Sequence, residues 1–194
     1  FLKKKYFTFG SFNNLNKVSD DNLKVWAKII SRVKNSRLLL KSSISYNLDS
    51  FIEKLKKYNI FEKVVIIKRT EDFKTHLNLY DQVDLALDTF PYNGVTTTFE
   101  ALWKGVPVLT LQGYNFNSRC GSSIIKNLGE KFLLSNSKDQ YVEKAVYLAT
   151  NINKLAELRM NLYKNLFKTP LFDIVTFSKN FEELLYEVIN EKLN

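Results

Sequence analysis

Apolar residues recur along the chain with two periods, and their alternation predicts most of the elements. Tyr6 to Phe9 alternates aromatic and threonine side chains as a strand does, Gly10-Ser11 ends it, and a polar loop, Asn13 to Ser19, follows. The whole stretch Phe1 to Phe9 reads as extended. Leu23, Trp26, Ala27, Ile30 and Val33 then recur at helical spacing behind Ser19-Asp20-Asp21-Asn22. Those four residues are N-cap candidates with acidic groups at the positive end of a helix dipole, so a helix is predicted over 20–33.

The pattern repeats. Arg37 to Lys41 is a short apolar strand, Leu48 to Tyr58 an amphipathic helix, and Val64 to Ile67 a continuous apolar run of the kind expected of a strand buried on both faces. Glu71 to Tyr80 (helix), Val83 to Leu87 (strand), Thr97 to Lys104 (helix) and Val106 to Leu111 (strand, opened by a Gly105-Val106-Pro107 turn) continue it. Strands alternating with helices specify a parallel α/β sheet. Beyond Gly113 the periodicity turns helical over Ser118 to Leu128, Gln140 to Thr150, Ile152 to Phe167 and Asp173 to Leu193, with only Phe132 to Leu134 extended. Pro170 separates the last two helices, and Asp173 stands where an N-cap belongs. The expected organisation is one unit, a sheet core over about 1–135 and C-terminal helices over about 139–194. Trp26, Trp103 and the Phe-rich tail fall at helical core spacing and read as packing.

Composition narrows the function classes. With 194 residues and 45% hydrophobic content, the chain can build one sizeable core. It opens on Phe1 rather than Met, inside an extended segment, and is read as a piece of something longer. The net charge is +9, but only five of the 29 basic residues are arginine. Base and phosphate readout favours the planar fork of arginine, so no nucleic-acid partner is expected, whereas a small polyanionic ligand remains compatible. Cys120 and His76 are the only residues of their types, too few for a structural zinc site or an internal disulfide. No metal is expected. No apolar run approaches the ~20 residues of a membrane span, so no membrane partner is expected either, and the lone cysteine suits a reducing, cytoplasmic setting.

In an open α/β sheet, ligands bind beyond the carboxyl ends of the strands. The loops there are Gly10 to Lys17, Lys68 to Thr70, Asp88 to Thr97 and Gln112 to Arg119. Gly94-Val95-Thr96-Thr97-Thr98 leads from a buried strand straight into a helix, which offers backbone N–H groups, threonine hydroxyls and a dipole end suited to a diphosphate. The same threonines read equally well as ordinary helix caps.

The run DTFPYNGVTTTFEALWKGVPVLTLQG, then NSRCGSSIIKNLG, resembles the donor-binding region of the O-linked N-acetylglucosamine transferase and SPINDLY-like family. The likeness extends upstream to FGSFNNLNKVSDDNLKVWAKII and downstream to KTPLFD. It implies a Rossmann-like parallel sheet flanked by helices, the C-terminal lobe of a GT-B glycosyltransferase, with a helical tail. It also implies an upstream lobe that completes the active site, and tetratricopeptide repeats that select protein acceptors.

Residue by residue, Lys17 matches the family lysine that contacts the donor diphosphate and stabilises the leaving group. His76 falls where family members pack a histidine against uracil. Glu100 occupies an acidic position near the ribose, Asn14 a polar position near the nucleotide, and Gly94, Thr96 and Thr97 the positions facing the diphosphate. Arg119 lies near the same cleft, and reads equally as an ion-pair partner of Asp88 or Glu100. Val95 replaces a histidine of animal enzymes, so one polar contact to the donor is lost. Phe73 and Lys74 occupy the segment where animal members place a lysine near the ribose.

The implied reaction is an inverting, metal-independent transfer of N-acetylglucosamine from UDP-N-acetylglucosamine to protein Ser or Thr hydroxyls, without a cofactor. Two alternatives stay open: a relative that uses GDP-fucose, and a noncatalytic nucleotide-sugar-binding module. No residue offers itself as the general base.

Overall fold

The computed structural model describes residues 6–42 and 48–193, so the extended reading of residues 1–5 lies outside it. Its strands are β1 (Phe7–Ser11), β2 (Ser36–Lys41), β3 (Val64–Ile67), β4 (Leu85–Leu87), β5 (Val108–Leu111) and β6 (Leu134–Ser135). The helices are α1 (Asp20–Arg32), α2 (Leu48–Lys57), α3 (Phe73–Leu79), α4 (Thr96–Trp103), α5 (Cys120–Leu128), α6 (Lys138–Thr150), α7 (Ile152–Asn165) and α8 (Ile174–Leu193). The strands form one sheet in the order β3-β2-β1-β4-β5-β6, and every pairing is parallel. This is the doubly wound order. The order of winding reverses between β1 and β4, the switch point beyond whose carboxyl ends such sheets bind ligands.

β1 sits at the centre, paired along its whole length with β2 (Phe7↔Ser36 to Ser11↔Leu40) and through Phe9 and Gly10 with β4. All five of its residues are buried, including Thr8, whose N–H donates to Asp84 Oδ2 at 2.8 Å. A side chain at Gly10 would come within 2.6 Å of Val83, so glycine lets the β4 approach close onto β1. β3 departs from expectation. It lies at the sheet edge with none of its four residues buried, and Val65 is 42% exposed. A continuous apolar run specifies a strand but does not say which strands flank it. Phe132 to Leu134 is also shorter as a strand than expected, because Lys131–Leu133 forms a 3-10 turn before β6.

α1 begins at Ser19, whose Oγ accepts from Asn22 N at 3.3 Å, and it buries Leu23, Val25, Trp26, Ile29 and Ile30 while packing against α6. Asn22 also reaches across to the loop after β4. Its Oδ1 accepts from Phe90 N at 3.1 Å, and its Nδ2 donates to Phe90 O and, at 2.7 Å, to Ser19 Oγ. One buried amide thus satisfies both sides of the Phe90 residue, which precedes a cis Phe90-Pro91 bond.

The C-terminal helices form as the periodicity predicts, and Asp173 caps α8 by accepting from Thr176 N at 3.0 Å. Their burial differs from expectation. Trp103 is 55% exposed and packs edge-on to Phe167 at 5.0 Å, with Phe172 at 5.9 Å, in a cluster at the surface. Along α8, Val175, Phe177, Phe181 and Leu184 are at least half exposed, because no described element lies across from them. No described helix is long and apolar enough to cross a membrane.

Asn22→Ala removes the partner of the Phe90 N–H and leaves its carbonyl only a long contact to Ser19 at 3.4 Å. The expected cost is roughly 2–4 kcal/mol of stability. Urea unfolding measures it; an unchanged midpoint would show that water replaces the amide without loss.

Candidate functional site

The two loops that flank the crevice are tied together by one carboxylate. Asp88 follows β4 and is buried, and its Oδ1 accepts from Gly94 N at 2.7 Å, Thr89 N at 2.9 Å and Asn13 Nδ2 at 3.4 Å. Its Oδ2 accepts from Thr110 Oγ1 on β5 at 2.6 Å. Asn93 supports the same turn, donating to Thr89 O at 2.8 Å and accepting from Gly121 N at 3.2 Å. A Cβ at Gly121 would lie 2.6 Å from Asp88 Oδ2, so α5 can approach only through a glycine.

This scaffold presents the start of α4. Among the described residues, the N–H groups of Val95, Thr96 and Thr97 have no acceptor, as expected of a helix N-terminus. The Gly94 N–H, in contrast, is taken by Asp88, so Gly94 contributes space rather than a donor. A Cβ there would fall 2.8 Å from Asn13 Oδ1 and collide with Thr97 Oγ1, the pair joined by a 3.0 Å hydrogen bond. Thr96 is exposed, whereas Thr97 is half-buried with its hydroxyl directed to Asn13.

Lys17 closes a 3-10 turn, Leu15–Lys17, which Asn14 caps by accepting from Asn16 N at 3.0 Å. Its ammonium donates to Asn93 O at 3.2 Å and stands 4.0 Å over the Tyr92 ring. Burial lowers the Lys17 pKa, and the charge of Asp88 opposes that shift. The lysine is therefore an anchored cation beside the free N–H groups, and an added anion would favour its charged form.

His76 and Glu100 form a second group. His76 Nε2 lies 2.9 Å from Glu100 Oε2, both side chains are 13% exposed, and Tyr80 OH donates to Glu100 Oε2 at 3.1 Å. Phe12, Tyr80 and Phe73 surround the imidazole with ring centroids 5.7–6.1 Å away. Arg119 is exposed and makes no ion pair with Asp88 or Glu100 among the described residues; with Val95, Phe116 and Cys120 it lines a surface cavity of about 690 Å³. No group of three His, Cys, Asp or Glu side chains that could hold a metal is found among the described residues.

The sequence pointed to Asn14, Lys17, His76, the Gly94–Thr97 turn, Glu100 and Arg119, but not to Asn13, Asn93, Tyr80 or Lys41, which the structure places against them. Lys41 was findable, since it ends β2 at the carboxyl edge of the sheet. Asn13 and Asn93 were not, because a buried amide in a loop looks like any polar loop residue until its partners are placed.

Doubly wound order, a crevice at the switch point and helix-terminal donors beside a fixed lysine define the Rossmann-like lobe of a GT-B glycosyltransferase. The chain belongs to glycosyl transferase family 41, whose model matches residues 2–181. It is 38% identical over 190 residues to the "Probable UDP-N-acetylglucosamine–peptide N-acetylglucosaminyltransferase SPINDLY" of Solanum lycopersicum, covering 94% of this chain and 20% of that protein. A second plant protein of the same activity name, SEC of Arabidopsis thaliana, is 31% identical over 191 residues, covering 97% of this chain and 19% of its own length. Among solved structures, a mutant O-GlcNAc transferase from Thermobaculum terrenum superposes with a TM-score of 0.87 at 30% identity, over 94% of this chain and 36% of that one. The pneumococcal O-GlcNAc transferase GtfA, in complex with UDP and GlcNAc, shares the fold with a TM-score of 0.63 at 17% identity, over 94% of this chain and 36% of that one. The chain thus spans about a fifth of the length of the plant relatives it matches.

Burial pushes the Asp88 carboxyl from 3.8 up to about 6, against the hydrogen bonds from Thr110, Gly94 and Thr89 and the charge of Lys17. The protonated form fits the same scaffold, because an Oδ2–H can donate to Thr110 Oγ1 while Oδ1 keeps its donors. The folded protein therefore holds this proton more tightly than the unfolded chain. The resulting stabilisation, on the order of 3 kcal/mol, is full below the ordinary carboxylate range and is lost as pH rises through about 6. Asp88→Asn, neutral throughout, should gain stability relative to the parent between about pH 4 and about pH 7 in urea unfolding. A pH-independent difference would show that Asp88 stays ionised.

Proposed function

We propose that these residues form the donor-binding lobe of an inverting, metal-independent glycosyltransferase that transfers N-acetylglucosamine from UDP-N-acetylglucosamine to protein Ser or Thr hydroxyls. Sheet core and C-terminal helices act as one nucleotide-sugar-binding unit, and the acceptor-binding surface and general base come from other parts of the full protein. The observation that carries this reading is the convergence, at one switch point, of the anchored Lys17 ammonium, the unpaired N–H groups of Val95, Thr96 and Thr97, and the Thr96 hydroxyl.

That convergence suits a leaving group whose charge grows during transfer. As the glycosidic bond to the diphosphate breaks, negative charge collects on the phosphate oxygens, and donors already fixed in place stabilise it without reorganising. Lys17 supplies the cation and the first turn of α4 the N–H donors and dipole. Glu100 retains Oε1, which accepts no hydrogen bond among the described residues, for the ribose hydroxyls, and His76 offers its ring to the base. Asn14 holds the Lys17 turn, and Val95 brings only its backbone N–H. Arg119, without an acidic partner among the described residues, lines a cavity with Val95 and is assigned to the sugar side of the donor. The activity named for the SPINDLY relatives supports UDP-N-acetylglucosamine as the donor, and the O-GlcNAc transferase name of the T. terrenum protein supports the sugar.

Calorimetry with UDP and GDP tests the donor. UDP should bind, GDP more weakly, and Lys17→Ala should weaken UDP about 10- to 100-fold, the range for losing a charge-assisted contact. Tighter binding of GDP would overturn the choice of base. In the full-length protein, transferase activity undiminished by Lys17→Ala would favour a noncatalytic nucleotide-sugar module.

A further inference from the structure

Lys41 ends β2, and its ammonium projects to the half-buried side chain of His76, with Nζ 2.6 Å from Nδ1 and 3.2 Å from Thr70 Oγ1. An ammonium group has hydrogens to give and no lone pair to offer. The Nδ1 facing it must therefore be the unprotonated nitrogen, which places the imidazole hydrogen on Nε2, where Glu100 Oε2 accepts it at 2.9 Å. Tyr80 OH reaches the same oxygen at 3.1 Å, and also Thr97 O at 3.1 Å. Glu100 Oε2 is thus held by donors from two segments, and the other carboxylate oxygen is left for a ligand.

We infer that Lys41 is a positioning residue for the nucleotide: through one directional chain, Lys41 to His76 to Glu100, it fixes the tautomer and plane of the imidazole and the rotation of the carboxylate. The inference rests on the donor reading above. Without Lys41 the imidazole keeps its bond to Glu100 but loses the donor on Nδ1, so its plane is held from one side only. The charged and titratable groups that set this balance are Lys41 on β2, Arg69 in the loop after β3, Glu100 on α4 and Tyr80 beyond α3. Burial lowers the Lys41 pKa, the Glu100 charge raises it and Arg69 lowers it. Glu100 is a carboxylate that only accepts, so it too requires the hydrogen on Nε2, and the two contacts agree on one tautomer.

His76 is the only histidine of the chain, so its ring nitrogens give unambiguous signals after ¹⁵N-histidine labelling. In the 194-residue chain at neutral pH, Nδ1 should show the unprotonated type of shift and Nε2 the protonated type. Lys41→Met keeps the length of the side chain and removes the donor; it should shift the Nδ1 signal towards that of a nitrogen without a hydrogen bond and weaken UDP binding about tenfold, the scale of one lost hydrogen bond to a charged group. Lys41→Arg, again a donor without an acceptor, should restore both, and its recovery separates positioning from a general loss of folding. A proton on Nδ1 in the parent, or UDP affinity unchanged in Lys41→Met despite a shifted Nδ1 signal, overturns the inference while leaving the donor site intact. Absence of UDP binding by the parent overturns the donor reading, and the inference with it.

Discussion

The carboxylate of Asp88 is buried just beyond β4, and four donors from three segments of chain converge on it. Two come from its own loop, one from Asn13 after β1 and one from Thr110 on β5. The switch point of the sheet only opens a crevice; this carboxylate decides what stands in it. By taking the Gly94 N–H it turns the chain so that the next three N–H groups are left free at the head of α4. By holding Asn13, and through it the Thr97 hydroxyl, it brings the β1 loop against the β4 loop and so sets Lys17 beside that helix end. Burying such a group is costly, and the raised pKa of Asp88 expresses that cost. The hydrogen bonds offset it with positional order in the two loops that matter most.

The basic groups of the site are treated in opposite ways. Lys17 is anchored to a carbonyl and an aromatic ring, neither of which neutralises it, so its charge stays available to an anion. Most other lysines with ionic partners pair with carboxylates at the surface, as Lys104 does with Asp81 at 2.9 Å, where solvent screening leaves little net energy. A net charge of +9 is therefore a poor guide to the site. What distinguishes Lys17 is its place in the loop after β1, beside the turn into α4, since Lys144 likewise leans on a carbonyl and an aromatic ring.

Apolar periodicity specified the parallel α/β class, the sequence of elements and nearly all their positions, because a period of 2.0 or 3.6 follows from backbone geometry that each segment carries with it. The motif from Asp88 to Thr98 likewise marked the turn that leads into α4, since glycine and hydroxyl residues before a helix act over a few neighbouring residues. Burial could not be obtained in this way. Val64 to Ile67 and the apolar residues of α8 look like core, but whether a strand is central or at an edge, or a helix is covered, depends on elements distant along the chain. Nor could the sequence show that Gly94 gives up its N–H, that Asn22 clamps Phe90, or that Lys41 meets His76. Each of these joins residues 6 to 68 positions apart through a hydrogen bond whose direction exists only after the sheet has brought the loops together.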